Sequence, residues 1–477
     1  MPNILTNSGS GILLDLTGPS GPAYARLAQA LREAIRSGQL TAGSPLPPSR
    51  TLAADLGCSR WVITEAYAQL TAEGYLTATV GSGTRVRNLA HEEPGAARQA
   101  APAHATTAAP APAAPIDMAP GLPDLRHFPM RQWLSAVRAA TAGIAAADLA
   151  YPDPAGHPGL RQVLSDYLAR VRGARADPAD LMITGGATDA IGLLCRVLKR
   201  QGHTAVAIED PGWHRLRDVV TAAGLKAIPV PVDDEGLRAD LLAGYAEVRA
   251  VIVSPAHQFP VGVVLSPQRR ALLLSWAAQQ DGLIMEDDYD AEFRYDRRPV
   301  GALQGIGRSA VALIGSVTKT LSPAMGMGWV AIPPGWTALV RAAVVRSSGP
   351  PVFDQLAFAE FVRAGAYDRH LRATRSRYHA RRDGIVSALS GQLPGSRISG
   401  VAAGLHLLVH LPVGTDAAAV VRRATAAGVR IANLDTYRFD AAPEAPGLVV
   451  GYGNLADHQL QEGVTRLAAA VRAHATG

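Results

Sequence analysis

Residues 311–319 read Val-Ala-Leu-Ile-Gly-Ser-Val-Thr-Lys, a short apolar run that ends in two hydroxyls and a lysine. Four more stretches share this plan. Leu181-Met-Ile-Thr184 runs into Gly185-Gly186-Ala187-Thr188, and Ala205-Val-Ala-Ile208 into Glu209-Asp-Pro-Gly-Trp213. Val251-Ile-Val253 leads into Ser254-Pro-Ala-His-Gln-Phe-Pro-Val-Gly262, and Leu283-Ile-Met285 into Glu286-Asp287-Asp288-Tyr289. Apolar runs of this length without alternation are strands covered on both faces. Polar chemistry at their carboxyl ends marks a mostly parallel α/β sheet.

The strand ends, brought together, describe one ligand. Gly185-Gly186-Ala187-Thr188 opens a helix, whose free N–H groups and dipole suit a phosphate. Trp213 can stack on a flat ring. Asp287 can keep a pyridine nitrogen protonated, with the Tyr289 phenol beside it. The chain has only three lysines. Lys199 stands at a helix end beside Arg200, and Lys226 begins a strand, whereas Lys319 follows Ser316 and Thr318 at a strand end. A desolvated lysine forms an imine with a carbonyl. Phosphate cradle, ring stack, pyridinium partner and imine-forming lysine together point to pyridoxal 5′-phosphate. His127 and His257 have no partner at a metal-ligand spacing, so no metal is expected.

Upstream, residues 89–116 read LAHEEPGAARQAAPAHATTAAPAPAAPI. Alanine and proline without apolar periodicity make an extended, semi-rigid connector. The chain thus divides into a small domain (1–88), a linker (89–116) and a large unit (117–477). In the small domain Tyr24, Leu27, Ala28, Leu31 and Ile35 form one helical face ending near Gly38. A short helix over 51–56, a turn at Gly57-Cys-Ser59 with Ser59 as N-cap, and a helix over 60–73 form a helix-turn-helix. In the third helix Val62, Ile63, Ala66, Tyr67 and Leu70 face inward. Residues 74–86 then read as two short strands around a glycine tip, a wing. Residues 20–88 hold seven arginines against four acids. Arg50 and Arg60 head two of the helices, and Arg85 and Arg87 follow the wing, where phosphates and base edges are met.

Composition sets the outer bounds. The chain has 477 residues, 48% hydrophobic and 18% charged, which suits more than one folded core. No apolar run is long enough for a membrane span, and the first residues lack a secretory pattern. Two cysteines, Cys58 and Cys195, make no disulfide framework. A reducing cytoplasm is the expected compartment. A net charge of +6 permits a polyanionic partner. The arginine-rich stretch from His370 to Asp383 reads as a solvated or subunit-facing helix.

Two resemblances cover nearly the whole chain. LPPSRTLAADLGCSRWVITEAYAQLTAEGYL (46–76) followed by GSGTRV (81–86) resembles the GntR family of bacterial transcription regulators. That resemblance implies DNA contacts from Arg50 and Arg60, Ser59 and Thr64 on the recognition helix, and Gly81, Ser82 and Gly83 entering the minor groove. YPDPAGHPGLRQVLSDYLARVRG (151–173), ITGGATDAI (183–191), EDPGWH (209–214), SPAHQFPVG (254–262), EDDYDAEFRY (286–295) and SVTKTLSPAMGMGW (316–329) resemble fold-type I aminotransferases. Within these they are similar to the aminotransferase-like domain of MocR/GabR regulators. The implied fold is a winged helix-turn-helix joined to a large, mostly parallel α/β domain with a smaller C-terminal α+β lobe.

The same resemblance implies Asp287 on the pyridine nitrogen, Tyr289 on the ring hydroxyl, Trp213 stacked and Lys319 as the imine lysine. Ser316, Gly186, Ala187 and Thr188 would hold the phosphate. Tyr151 would reach the phosphate of a partner subunit, which implies a homodimer. Three positions depart from the enzyme pattern. Phe259 stands for an asparagine, Gly326 for a phosphate-binding arginine, and Val449 for the arginine that holds a substrate carboxylate. A bidentate guanidinium is lost at each of the last two. The expectation is a DNA-binding regulator that senses pyridoxal phosphate itself or an amino-acid or amine effector, with vitamin B6 or amine metabolism under its control. A working aminotransferase with an appended DNA module is the alternative.

Overall fold

The computed structural model describes residues 22–79, 83–88, 115–295, 300–344, 349–440 and 446–475. The chain divides into two compact units, residues 1–109 and 110–477. The connector expected over 89–116 lies, except for its last two residues, outside the described residues.

In the first unit three helices, Ala23–Arg36, Ser49–Asp55 and Arg60–Ala72, precede an antiparallel pair, Leu76–Thr79 with Gly83–Val86. The first helix puts Leu27, Leu31 and Ile35 inward, against Leu52 of the second and Ile63, Tyr67 and Leu70 of the third. Val62 is only half-buried at the edge of this core. Leu76 faces Val86 across the wing, and both close the core from below. Ser59 occupies the N-cap position with extended backbone (φ −70°, ψ 144°), but its hydroxyl makes no capping bond. The expected cap is therefore one of backbone geometry alone. The wing-tip residues Gly81 and Ser82 lie outside the described residues.

The second unit is built on an eight-stranded sheet. Its strand order is 181–184, 328–331, 311–316, 283–288, 248–253, 205–210, 226–233 and 236–237. The five strands from 311–316 to 226–233 run parallel, while 328–331 is antiparallel to both its neighbours. Strands 283–288 and 311–316 are buried at every residue, which explains the apolar runs Leu283–Met285 and Val311–Ile314 with which they begin. Helix Ala187–Arg200 covers one face with Ile191, Leu194 and Leu198, and helix Pro267–Gln280 covers the other with Leu273 and Trp276. The C-terminal lobe is a four-stranded antiparallel sheet, with strand order 397–399, 406–410, 447–451 and 432–433, backed by helices Ala417–Ala426 and Leu460–Ala475. Ile116–Asp117, at the start of the unit, pairs with Val429–Arg430 of that lobe. Both cysteines are free thiols. Among the described residues no helix is long and apolar enough to cross a membrane.

Candidate functional site

Parallel strands align their carboxyl ends, and pairing of Ile314 with Asp287 and of Val253 with Glu286 carries three motifs to one edge. There a cavity of about 330 Å³ opens. Asp287, Tyr289, Lys319 and Ser316 line it, as do Trp213, Gly186, Ala187 and Thr188. Eight of the nine residues expected at a cofactor therefore share one cavity. The ninth, Tyr151, is fully exposed and does not line it.

The floor on the helix side follows from glycine geometry. Gly186 precedes helix Ala187–Arg200 with φ +133°, a conformation L-residues rarely adopt. Gly328 lets the adjacent strand come close, since a Cβ there would stand 2.7 Å from the Gly186 Cα. The first N–H groups of that helix are thereby presented to the cavity. Ser316 ends its strand, and its hydroxyl accepts from the Thr318 N–H at 3.1 Å.

The charged groups sit opposite. Lys319 Nζ donates to the Gly121 carbonyl at 2.5 Å. Burial lowers its pKa, against the pull of Asp287 and Asp290. Asp287 is pushed up to about 7, first by burial and then by the charge of Asp288, partly offset by Lys319. Its Oδ1 is buried without a hydrogen-bond partner. Tyr289 lies with its hydroxyl 3.2 Å from His257 Nδ1. A carboxylate lacking a donor, a buried lysine and a helix N-terminus in one cavity fit a phosphorylated pyridine aldehyde.

Sequence reading missed part of the wall. Pro120 and Gly121 enter from the start of the unit, and Leu405, His406 and Tyr437 from the C-terminal lobe, none within a recognisable motif. Glu209, at the end of its strand, is raised to about 8 by burial despite bonds from Ser254 N and Gln258 Nε2. Its position before Trp213 was the available signal. Lys319 is the one lysine or arginine among the described lining residues. Val449 is fully buried in an apolar cluster with Leu408, Leu434 and Tyr437, against which Phe259 packs. Gly326 has φ +51° with open space around it.

In the first unit Arg50, Ser59, Arg60 and Thr64 are all exposed. Arg60 Nε donates to Ser49 Oγ at 3.2 Å, and the Thr64 hydroxyl donates back to the Arg60 carbonyl at 3.0 Å. Arg32 pairs with Glu73, and Arg36 with the Tyr75 hydroxyl, so these two tie the first helix to the end of the third and to the segment that leads into the wing. Arg85 and Arg87 are exposed beside the wing, as is Gly83. Trp61 is 61% exposed and meets Tyr24 edge-on at 5.8 Å.

Comparison with known proteins agrees with this division. Residues 23–86 match the family described as bacterial regulatory proteins, gntR family, and residues 116–433 match aminotransferase class I and II. The chain is 30% identical to the probable rhizopine catabolism regulatory protein MocR of Rhizobium meliloti, over 94% of each chain. It is also 30% identical to the HTH-type pyridoxine biosynthesis transcriptional regulator PdxR of Corynebacterium glutamicum, over 90% of this chain and 91% of that one. The kynurenine aminotransferase of Pyrococcus horikoshii superposes with a TM-score of 0.68 at 25% identity, over 76% of this chain and 91% of the other. The chain thus belongs to the MocR-type branch of the GntR family, DNA-binding transcription regulators that join a winged helix-turn-helix to an aminotransferase class I and II domain.

Proposed function

We propose that the 110–477 unit binds pyridoxal 5′-phosphate through Lys319 and that its loading state sets how the winged helices engage an operator. The observation that carries this reading is the unpartnered Oδ1 of Asp287, buried in the same cavity as Lys319 and the N-terminus of helix Ala187–Arg200. A buried acceptor without a donor is costly, and a pyridinium N–H is the donor that matches it. Gly186, Ala187, Thr188 and Ser316 would hold the phosphate, Trp213 the ring face and Tyr289 the ring hydroxyl. When bound, the group supplies a reactive aldehyde carbon and an electron-withdrawing ring. The lowered pKa of Lys319 keeps more of its amine uncharged for that carbon.

The same wall argues for sensing over turnover. With Gly326 in place of a guanidinium, neutral donors hold the phosphate, which favours reversible loading. With Val449 inside an apolar cluster and Lys319 the one lysine or arginine among the described lining residues, no further described cation lines the cavity to meet an amino-acid carboxylate, and leaving that anion unpaired is expensive. The ligand sensed is therefore pyridoxal phosphate itself or an amine joined to it, and vitamin B6 or amine metabolism is the setting, as the name of the Corynebacterium relative suggests. The fully exposed Tyr151 would serve a partner subunit's phosphate in a cytoplasmic homodimer, with Arg50, Ser59, Arg60, Thr64 and the 81–83 wing tip on the operator.

Titration of the purified protein with pyridoxal phosphate, followed by visible absorbance, tests the reading. Wild type develops a lysine-bound band that saturates, and Lys319→Ala does not. Absence of the band in wild type overturns the proposal. Turnover of an amino donor with 2-oxoglutarate would move the reading to a working aminotransferase.

A further inference from the structure

Behind the cavity wall three side chains from distant segments converge. His257 lies on the loop after strand Val248–Val253, Asp290 just beyond strand Leu283–Asp288, and His406 opens strand His406–His410 of the C-terminal lobe. All three are buried, at 2%, 2% and 4% exposure. Each offers one ligand atom, and these atoms lie within 4.8 Å of one another. The two imidazole rings stand 4.9 Å apart, centroid to centroid.

The ligand atoms that converge are His257 Nδ1, Asp290 Oδ2 and His406 Nε2. His257 Nδ1 lies 2.9 Å from Asp290 Oδ2, close to the separation of two ligands on one ion, with the Tyr289 hydroxyl 3.2 Å from the same nitrogen; a metal there would displace the proton those groups share. The His406 ring bonds the backbone of Pro260, which offers only a carbonyl, so that ring donates there. Its Nε2 is buried without any hydrogen-bond partner. A histidine that donates one N–H to a carbonyl while baring the other nitrogen is arranged as a metal ligand.

We propose that His257, Asp290 and His406 bind a divalent transition-metal ion, zinc in the first instance, at the seam between the large sheet and the C-terminal lobe. Two imidazoles and one carboxylate suit zinc or its neighbours, whereas calcium and magnesium prefer oxygen alone. Ligands around tetrahedral zinc stand roughly 3.3 Å apart, given bonds of about 2.0 Å, so closure needs shifts of about 1 Å. His406 also faces the cavity, which leaves a fourth position for water or a ligand atom. The ion would latch the lobe carrying His406 to the strand ends carrying His257 and Asp290. This inference does not rest on the cofactor reading.

The test equilibrates the full-length protein with zinc or cobalt(II), desalts it, and measures metal content and the cobalt visible spectrum. About one metal per chain and the intense band of four-coordinate cobalt are expected. His406→Ala and Asp290→Asn should lower retention at least about tenfold. His127→Ala, at a half-exposed histidine paired with Asp124, should not. Less than about a tenth of a metal per chain, or a weak six-coordinate cobalt spectrum in wild type, overturns the proposal whether or not the variants fold. So does retention unchanged in both His406→Ala and Asp290→Asn.

Discussion

Replacing Asp287 by asparagine separates the demands of a ligand site from those of a stable fold. The carboxyl, ordinarily near 3.8, is raised to about 7 in the folded protein by burial and then by Asp288. Between those values the folded state binds more protons than the unfolded one, so stability falls as pH rises. At 1.36 kcal/mol per tenfold change, the full penalty is about 4 kcal/mol once both states are ionised. Roughly 2–3 kcal/mol of it develops between pH 5 and pH 8. Asparagine has nearly the same shape and does not ionise. The raised carboxyls Glu286 and Glu292 are common to both proteins and cancel in the difference, whereas Glu209 and Lys319 feel the Asp287 charge and add smaller changes. Urea unfolding of cofactor-stripped wild type and Asp287→Asn, followed by tryptophan fluorescence at pH 5, 6, 7 and 8, measures that difference. The variant should gain on wild type by about 2–3 kcal/mol across the range. Adding pyridoxal phosphate should shrink the gain, because a pyridinium pairs with the wild-type carboxylate alone. A difference constant to within about 0.5 kcal/mol would refute the reasoning, since the ionisation of Asp287 is the largest titration that the substitution removes.

Three further outcomes follow from single contacts. Arg60→Ala should weaken specific operator binding by about 1–3 kcal/mol in a gel shift while leaving pyridoxal phosphate uptake intact; unchanged affinity would remove Arg60 from the interface. Gly328→Ala puts a methyl 2.7 Å from the Gly186 Cα and should weaken pyridoxal phosphate uptake, whereas Gly326→Ala, with nothing within 4 Å, should change it far less; equal effects would refute the close-approach argument. Arg172 and Asp288 form a buried bidentate pair at 2.7 and 2.9 Å, so Arg172→Ala should cost about 3–5 kcal/mol. The double replacement Arg172→Met with Asp288→Leu should recover most of that loss in denaturant unfolding, and a loss as large as the single variant's would contradict it.

Much of the winged helix was legible because its determinants are local. Ile63, Ala66, Tyr67 and Leu70 show a helical face in the text and form that face in the structure. Ser59 shows the limit of such reading: its place at the helix start follows from the chain, but whether its hydroxyl caps depends on a rotamer. In the second unit each strand announces itself by an apolar run and a polar end, so Asp287, Tyr289, Ser316 and Lys319 were recognisable one by one.

The sequence by itself determined which residues are strand, which are strand-end chemistry, and where the arginines of the small domain stand, because those depend on neighbours a few residues apart. Only the tertiary structure decided that the ends meet, since strand order and register are properties of pairing between distant segments. It alone brought Gly121 to Lys319, buried Val449 among Leu408, Leu434 and Tyr437, and left Tyr151 outside the cavity. It alone set His406 against His257 and Asp290, which no spacing rule finds because the residues come from three separate segments. Protonation belongs to that second kind as well. Aspartate has the same letter at 287 and at the surface, and the low dielectric of a closed sheet edge is what moves its pKa to about 7.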